Sequence, residues 1–190
     1  GVVRFDGPVE AEDHIRRRGA DVAAGDELLA AGARISALGL SGLATSGLAE
    51  ARCVLRPRVV LLVTGDELVA PGRPLGRGQI HESNSLLIGA RCRQLGLDVV
   101  ATEQVPDSLG ETTRLFERAL RRADIVVSSG GVSMGPRDHV KPALAALGVE
   151  QLFWRVAVQP GRPVWAGLRG RTLVLGLPGN PLSVLVGLEL

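Results

Sequence analysis

Residues 58–67 read RVVLLVTGDE, an apolar run that passes directly into a polar loop containing glycine. The run from Arg58 to Val63 is short and rich in valine and leucine, which predicts a strand buried on both faces of a sheet. The arrangement recurs twice, with strands predicted at Asp124–Ser128 and Arg171–Leu175 running into SSGGVSMGPRD (128–138) and GLPGNPLS (176–183). Three predicted buried strands therefore end in loops that carry glycine and polar side chains.

Helical patterns alternate with these strands. Apolar residues recur every three or four positions, and serine or asparagine stands at several predicted helix starts. The predicted helices are Ser83–Leu95, one opened by Ser108 with Leu109, Thr113, Phe116 and Leu120 on one face, Val140–Leu147, and one opened by Asn180-Pro181; further strands are predicted at Leu97–Val105 and Phe153–Val158. The alternation indicates an α/β fold, a three-layer αβα domain of Rossmann-like type with a mainly parallel sheet.

The first part of the chain has a different character. Residues 1–56 are interrupted by glycine and show clear periodicity only at Ser36–Ser46, a predicted short helix that Gly47 stops. We interpret residues 1–56 as a linking segment and remnant of an adjacent domain, and residues 57–190 as the main domain, C-terminally truncated. The apolar, helix-like end at 184–190 leads us to expect a piece of a longer protein.

Composition narrows the classes of protein. The 190 residues include 22 basic and 20 acidic side chains, a formal charge of +2, which argues against a dedicated nucleic-acid binder. Two cysteines are too few for a disulfide framework, so we expect a reduced, cytoplasmic protein. No apolar run approaches the length of a membrane span, so we expect no membrane partner.

The loops suggest a site for a phosphorylated ligand. In parallel sheets ligands bind outside the carboxyl ends of the strands, where glycine lets backbone N–H groups approach a phosphate. Carboxylates at these ends would repel a nucleotide unless a cation such as Mg²⁺ bridged them. They are Asp66, Glu67, Asp107 and Asp138. The alternative is that the glycines only make tight turns and that Asp107, Asp138, Asn84 and Asn180 only cap helices.

Four motifs in order resemble the molybdopterin molybdenumtransferase family, to which the C-terminal region of gephyrin belongs. They are TGDEL (64–68), GGVSMG (130–135) with Asp138, PGRP (160–163) and LPGNP (177–181). The resemblance covers residues 57–190, and IRRRGAD (15–21) resembles the segment that leads into this domain. It implies a molybdopterin-binding α/β domain of an enzyme that takes adenylylated molybdopterin and molybdate, uses Mg²⁺, releases AMP and inserts molybdenum.

The resemblance also implies roles for individual residues. Glu67, Asp107, Ser133 and Asp138 match catalytic positions, and Glu67 and Asp138 are the expected Mg²⁺ ligands. Contacts to substrate are expected from Arg16, Asp21, Thr64, Gly65, Asp66, Asn84, Gly130, Gly131, Gly135, Arg155, Pro160, Arg162, Pro178, Gly179, Asn180, Pro181 and Ser183. A homodimer is implied, with a molybdopterin adenylyltransferase and molybdoenzymes as possible partners.

Two positions depart from the family, which often has lysine where this chain has Arg155 and Gln159. Arg155 keeps the positive charge and Gln159 does not, so we expect weaker oxyanion binding at Gln159.

Two alternative functions use the same domain: a nucleotide pyrophosphatase- or amidase-linked protein of the competence-damage-inducible type, and a non-catalytic, gephyrin-like scaffold. The stretch Gly130–Asp138 argues against the first, which resembles GGxGPTxDD there. We also expect the chain alone to be inactive.

Overall fold

The computed structural model describes residues 1–190 except 5, 9, 134, 136 and 137. Contacts divide the chain into two compact units, Gly1–Val54 and Leu55–Leu190. In the described part of the first unit the only helix is α1 (Ala37–Thr45). As predicted, Ser36 caps this helix by accepting a hydrogen bond from the N–H of Gly39, and the chain leaves it at Gly47 with φ +80°.

The second unit contains a six-stranded sheet and four helices among its described residues. The elements are β1 (Arg58–Thr64), β2 (Leu68–Val69), β3 (Ile80–His81), α2 (Asn84–Gln94), β4 (Asp98–Val105), α3 (Leu109–Leu120), β5 (Ile125–Ser129), α4 (Val140–Ala146), β6 (Glu150–Trp154), β7 (Trp165–Arg169), β8 (Thr172–Leu177) and α5 (Pro181–Glu189). β2 and β3 form a separate parallel pair. None of the helices among the described residues is long and apolar enough to cross a membrane.

The sheet order is β4-β1-β5-β8-β7-β6. β1 pairs in parallel with β4 and β5, and β5 pairs in parallel with β8, whereas β7 is antiparallel to both β8 and β6. The predicted mainly parallel sheet is therefore confirmed. β6 runs in the same direction as β8, so the carboxyl ends of β4, β1, β5, β8 and β6 all lie at one edge of the sheet.

Helices cover both faces of the sheet, which confirms the three layers. Side chains alternate between the faces along β1, as they do in any strand. Val60 and Leu62 pack in one apolar cluster with Phe116 of α3 and Leu144 of α4. Val59 and Leu61 pack in a second cluster with Ile88 of α2 and Val184 of α5. Burial on both sides explains why β1 is almost uniformly apolar.

Three predictions about elements were wrong in detail. The strand predicted at Phe153–Val158 lies earlier, at Glu150–Trp154, and the sequence missed β7. The buried residues of α3 are Thr112, Leu115, Phe116, Ala119 and Leu120, whereas Leu109 is 46% exposed. Ser83 makes no side-chain cap for α2, because the carboxylate of Glu82 accepts from the N–H of Ser85 instead, at 2.8 Å.

Candidate functional site

A cavity of about 450 Å³ opens at the carboxyl edge of the sheet. It is bounded by the loops that follow β1, β4, β5 and β8 and by the start of α2. The polar and glycine residues that line it are Thr64, Gly65, Glu67, Glu82, Asn84, Asp107, Ser129, Gly130, Gly131, Asp138 and Gly179. Nine of these were predicted from the sequence as site residues, whereas Glu82 and Ser129 were not.

The loop after β1 is folded tightly around Gly65. Gly65 has φ +135°, and a Cβ there would lie 2.5 Å from Oε2 of Glu67, so the carboxylate rests directly against this glycine. Gln104 of β4 holds the loop by donating from Nε2 to the carbonyl oxygens of Gly65 (2.9 Å) and Leu68 (3.0 Å). Gln104 was not predicted as a site residue, because a single glutamine in a strand has no distinctive sequence pattern.

The loops after β1 and β5 touch through two consecutive glycines. Gly130 and Gly131 have φ of +87° and +67°, which favour glycine. A Cβ on Gly130 would lie 2.5 Å from Oγ1 of Thr64, and one on Gly131 would lie 2.6 Å from Cγ2 of Val140. Thr64 Oγ1 also donates to the carbonyl of Ser129 at 3.2 Å. The cavity wall here tolerates no side chain.

Asn84 ties three parts of the site together and does not cap its helix. Its Nδ2 donates to Oγ of Ser129 (2.7 Å) and to the carbonyl of Gly179 (2.8 Å), and Ser129 Oγ donates to the carbonyl of Pro178 (3.3 Å). The start of α2, the end of β5 and the loop after β8 are thereby joined. Oδ1 of Asn84 is buried and has no partner within the described part of the chain.

Most of the predicted phosphate donors are already engaged. The N–H groups of Gly65, Gly130 and Gly135 donate to the carbonyls of Val105 and Leu177 and to the carboxylate of Asp138, respectively. By contrast, the N–H groups of Gly131 and Gly179 have no hydrogen-bond acceptor among the residues that the structure describes. Among the glycines of the cavity wall, these two have a backbone N–H available to an anion.

Carboxylates dominate the charge of the cavity. Glu67, Glu82, Asp107 and Asp138 line it, and its described lining contains no lysine or arginine. Asp66 is not part of this lining, and its Oδ1 accepts from the N–H of Asp107 at 3.2 Å, which joins the loops after β1 and β4. Within the described residues no three histidine, cysteine, aspartate or glutamate side chains converge on one point as a metal cluster.

The segment between β6 and β7 lies at the same edge of the sheet but does not line this cavity. The guanidinium of Arg155 lies 4.3 Å from the ring centroid of Trp154. The Gln159–Pro160 bond is cis, and Arg162 contributes its carbonyl to a hydrogen bond from the N–H of Val156 at 3.0 Å. Gly161 lies against α5, where a Cβ would be 3.4 Å from the carbonyl of Ser183.

The start of α5 follows the predicted capping. Oδ1 of Asn180 accepts from the N–H groups of Leu182 (3.0 Å) and Ser183 (3.4 Å), and Pro181 occupies the first turn. Ser133 is exposed, and its carbonyl accepts from Nζ of Lys141 at 2.6 Å. In the first unit, Arg16 and Asp21 form an exposed ion pair of 2.8 Å with each other.

These observations define a class of protein: an α/β domain with an acidic, glycine-walled small-molecule cavity at the carboxyl ends of its strands. Residues 60–190 match the family model described as a probable molybdopterin binding domain, and the chain belongs to that family.

Curated relatives support the same family. The chain is 38% identical over 186 residues to a molybdopterin molybdenumtransferase of Haemophilus influenzae, covering 98% of this chain and 46% of the relative. It is 42% identical over 183 residues to molybdopterin molybdenumtransferase 2 of Mycobacterium tuberculosis, covering 93% and 45%. The chain therefore spans about half the length of these relatives.

Solved structures share the fold. A molybdopterin biosynthesis moea protein from Pyrococcus horikosii is similar with a TM-score of 0.78 and 29% identity, over 90% of this chain and 42% of that one. The CinA protein of Thermoplasma acidophilum gives a TM-score of 0.59 at 19% identity, over 70% of this chain and 95% of that one. At that identity the second likeness shows the fold alone.

Proposed function

We propose that this chain is the molybdopterin-binding part of a molybdopterin molybdenumtransferase, which inserts molybdenum from molybdate into adenylylated molybdopterin and releases AMP. The observation that carries the proposal is the cavity of about 450 Å³, whose lining includes Gly131 and Gly179 together with four carboxylates. The family match and the names of the two curated relatives supply the identity of the ligand.

The backbone N–H groups and the carboxylates of the cavity have separate roles in binding the ligand. The N–H groups of Gly131 and Gly179 bind phosphate oxygens, because backbone N–H groups are strong donors and the glycines lack side chains that would block the approach. The two glycines belong to different loops, and Asn84 links the carbonyl of Gly179 to the end of β5. Asn84 therefore restrains the distance between the two donors before a ligand binds.

The carboxylates require a counter-ion when a phosphate is present. Four acidic side chains with no described basic neighbour in the lining would repel a phosphoanhydride. Oxygen ligands of this kind suit Mg²⁺, which typically takes one or two carboxylates and completes its shell with water and phosphate. Glu67 and Asp138 are the proposed ligands, and bound Mg²⁺ would neutralise charge on the phosphates. The hydrogen bond from Gly135 to Asp138 at 2.9 Å orients that carboxylate.

The remaining residues have supporting roles in the proposal. Asp107 lies in the cavity wall and Ser133 on the loop after β5, where both are proposed to act on the reacting phosphate. Arg155 and Arg162, on the segment between β6 and β7, are proposed to attract molybdate, and Pro160 to shape that segment. We further propose a cytoplasmic homodimer that receives its substrate from a molybdopterin adenylyltransferase and serves molybdoenzymes.

The test is release of AMP from adenylylated molybdopterin by the full-length protein with molybdate and Mg²⁺. Asp138→Asn should lower Mg²⁺-dependent AMP release by at least tenfold, since loss of a charged metal ligand or hydrogen-bond acceptor costs about 1.5–3 kcal/mol. Asp124→Asn is the matched control, because Asp124 precedes β5 at the opposite edge of the sheet and binds Arg58. Unchanged turnover in Asp138→Asn would remove Asp138 from the site.

A further inference from the structure

Trp154, the last residue of β6, contacts the loop after β5 although it does not line the cavity. Its indole Nε1 donates to the carbonyl of Val132 at 3.2 Å. Lys141 of α4 donates from Nζ to the next carbonyl along the chain, that of Ser133, at 2.6 Å. Two side chains from two different elements therefore bind consecutive carbonyls of the segment that follows Gly130 and Gly131.

The two donors also contact each other. The ammonium of Lys141 lies 3.6 Å from the ring centroid of Trp154, an arrangement in which a cation is attracted to the face of the indole. Trp154 is half-buried and packs on the apolar cluster that contains Phe116 and Leu144. Lys141 is the only lysine in the chain. The ammonium of Lys141 thus contacts both a carbonyl of the loop and the ring of Trp154.

This loop needs external support because of its two glycines. Glycine has the greatest conformational freedom of any residue, so consecutive glycines do not hold a loop in one conformation by themselves. The N–H of Gly130 is fixed to the carbonyl of Leu177 at 2.9 Å, at the start of the segment. Trp154 and Lys141 fix the segment two and three residues later, so that Gly131 lies between the restraints.

We propose that Trp154 and Lys141 are positioning residues that hold the segment Gly130–Ser133 so that the N–H of Gly131 faces the ligand. The identity of the ligand rests on the function proposed above, whereas the positioning is a property of the ligand-free chain. The proposal assigns a role in ligand binding to β6, a strand that contributes no residue to the described cavity lining.

The decisive variant is Trp154→Phe, which keeps a smaller aromatic ring for Lys141 and Arg155 and removes the indole donor. Amide hydrogen exchange of Gly130, whose N–H donates to the carbonyl of Leu177, should become faster in the ligand-free chain, because the segment loses its restraint at Val132. The affinity for molybdopterin should fall about two- to tenfold, as expected for one neutral hydrogen bond. Lys141→Met should have both effects, and Lys141→Arg, which keeps a donor and a cation, should restore most of the affinity.

Trp165→Phe is the matched control. Trp165 is buried and pairs with Trp154 across β6 and β7, but its Nε1 donates to Oε1 of Gln151 at 2.8 Å and not to the loop after β5. This variant should lower thermal stability while leaving both the exchange of the Gly130 amide and the affinity unchanged. It also leaves Trp154 as the sole tryptophan, so any change of tryptophan fluorescence on molybdopterin binding reports on Trp154.

The outcomes separate the two proposals. Unchanged exchange of the Gly130 amide in both Trp154→Phe and Lys141→Met would overturn the positioning role, as would equal losses of affinity in Trp154→Phe and Trp165→Phe. Faster exchange in a chain whose wild-type form binds no molybdopterin would support the positioning role and contradict the proposed function. If Trp154→Phe fails to fold, the pair Lys141→Met and Lys141→Arg decides the question.

Discussion

Replacing Gly131 by alanine tests whether the cavity wall is as closely packed as the structure shows. Gly131 has φ +67°, where a residue with a Cβ costs about 1–2 kcal/mol relative to glycine. The new methyl group would lie 2.6 Å from Cγ2 of Val140 and 3.3 Å from Oγ1 of Thr64. Forcing an extra group into a packed site typically adds about 1–3 kcal/mol, so the total loss should be about 2–5 kcal/mol.

Gly148→Ala isolates the steric part of that loss. Gly148 has φ +70°, nearly the same as Gly131, but nothing lies within 4 Å of the position of its Cβ. Urea unfolding of both variants should show that Gly131→Ala loses about 1–3 kcal/mol more than Gly148→Ala, the overpacking cost alone. The affinity for molybdopterin should fall only in Gly131→Ala, because that glycine lines the cavity.

A double variant checks the contact itself. Adding Val140→Ala to Gly131→Ala removes the Cγ2 atom that the new methyl group would meet. The double variant should therefore be more stable than the sum of the two single losses predicts, by about 0.5–3 kcal/mol, the usual coupling of residues in contact. Equal destabilisation by Gly131→Ala and Gly148→Ala, with additive effects in the double variant, would refute the packing described here.

Three further predictions concern other parts of the domain. Asn84→Ala removes two hydrogen bonds from Nδ2, so urea unfolding should show a loss of about 1–3 kcal/mol, and molybdopterin binding should weaken as well. Hydrogen bonds from the N–H and guanidinium of Arg58 hold the pKa of Asp124 below its ordinary value of 3.8. The pKa of Asp124 is lower in the folded than in the unfolded chain. The stability that Asp124 confers is therefore present above its unfolded pKa and is lost as pH falls through the folded pKa. The difference in Tm between wild type and Asp124→Asn should shrink on acidification below about pH 4. Gln159→Lys should tighten molybdate binding by the full-length protein by roughly tenfold if residue 159 contacts the oxyanion, since a charged donor is worth roughly 1.4 kcal/mol more than a neutral one, whereas unchanged affinity would limit Gln159 to shaping the turn.

The sheet was predictable because its central strands are buried on both faces. The apolar run at 58–64 and the capping pair Asn180-Pro181 depend on local chemistry that is visible in the sequence. β6 and β7 were predicted poorly because they are the last two strands of the sheet and pair in an antiparallel manner. β6 is largely exposed there and carries no uniform apolar run. The helix α3 was predicted, but the residues expected to share its apolar face only partly match the buried ones. Thr112 and Ala119 are buried without being strongly apolar, so the apolar pattern did not select them.

Residues of the cavity could be predicted where the residue type alone indicates the role, and not where the role depends on a hydrogen-bond partner elsewhere in the chain. Carboxylates and glycines at strand ends marked the cavity. The sequence could not show that the N–H groups of Gly65, Gly130 and Gly135 are consumed internally, because their acceptors are 3 to 47 residues away in the chain. Asn84 was interpreted as a possible cap, and only the fold brings Ser129 and Gly179 to its amide.

A crystal structure of the chain with bound molybdopterin would show whether this cavity is the ligand site. We expect the ligand to occupy the cavity at the carboxyl ends of the strands, with phosphate oxygens within hydrogen-bond distance of the N–H groups of Gly131 and Gly179. Glu67 and Asp138 should lie beside the phosphate and share a cation with it when Mg²⁺ is present. Molybdopterin bound elsewhere on the domain, with this cavity empty, would contradict the account.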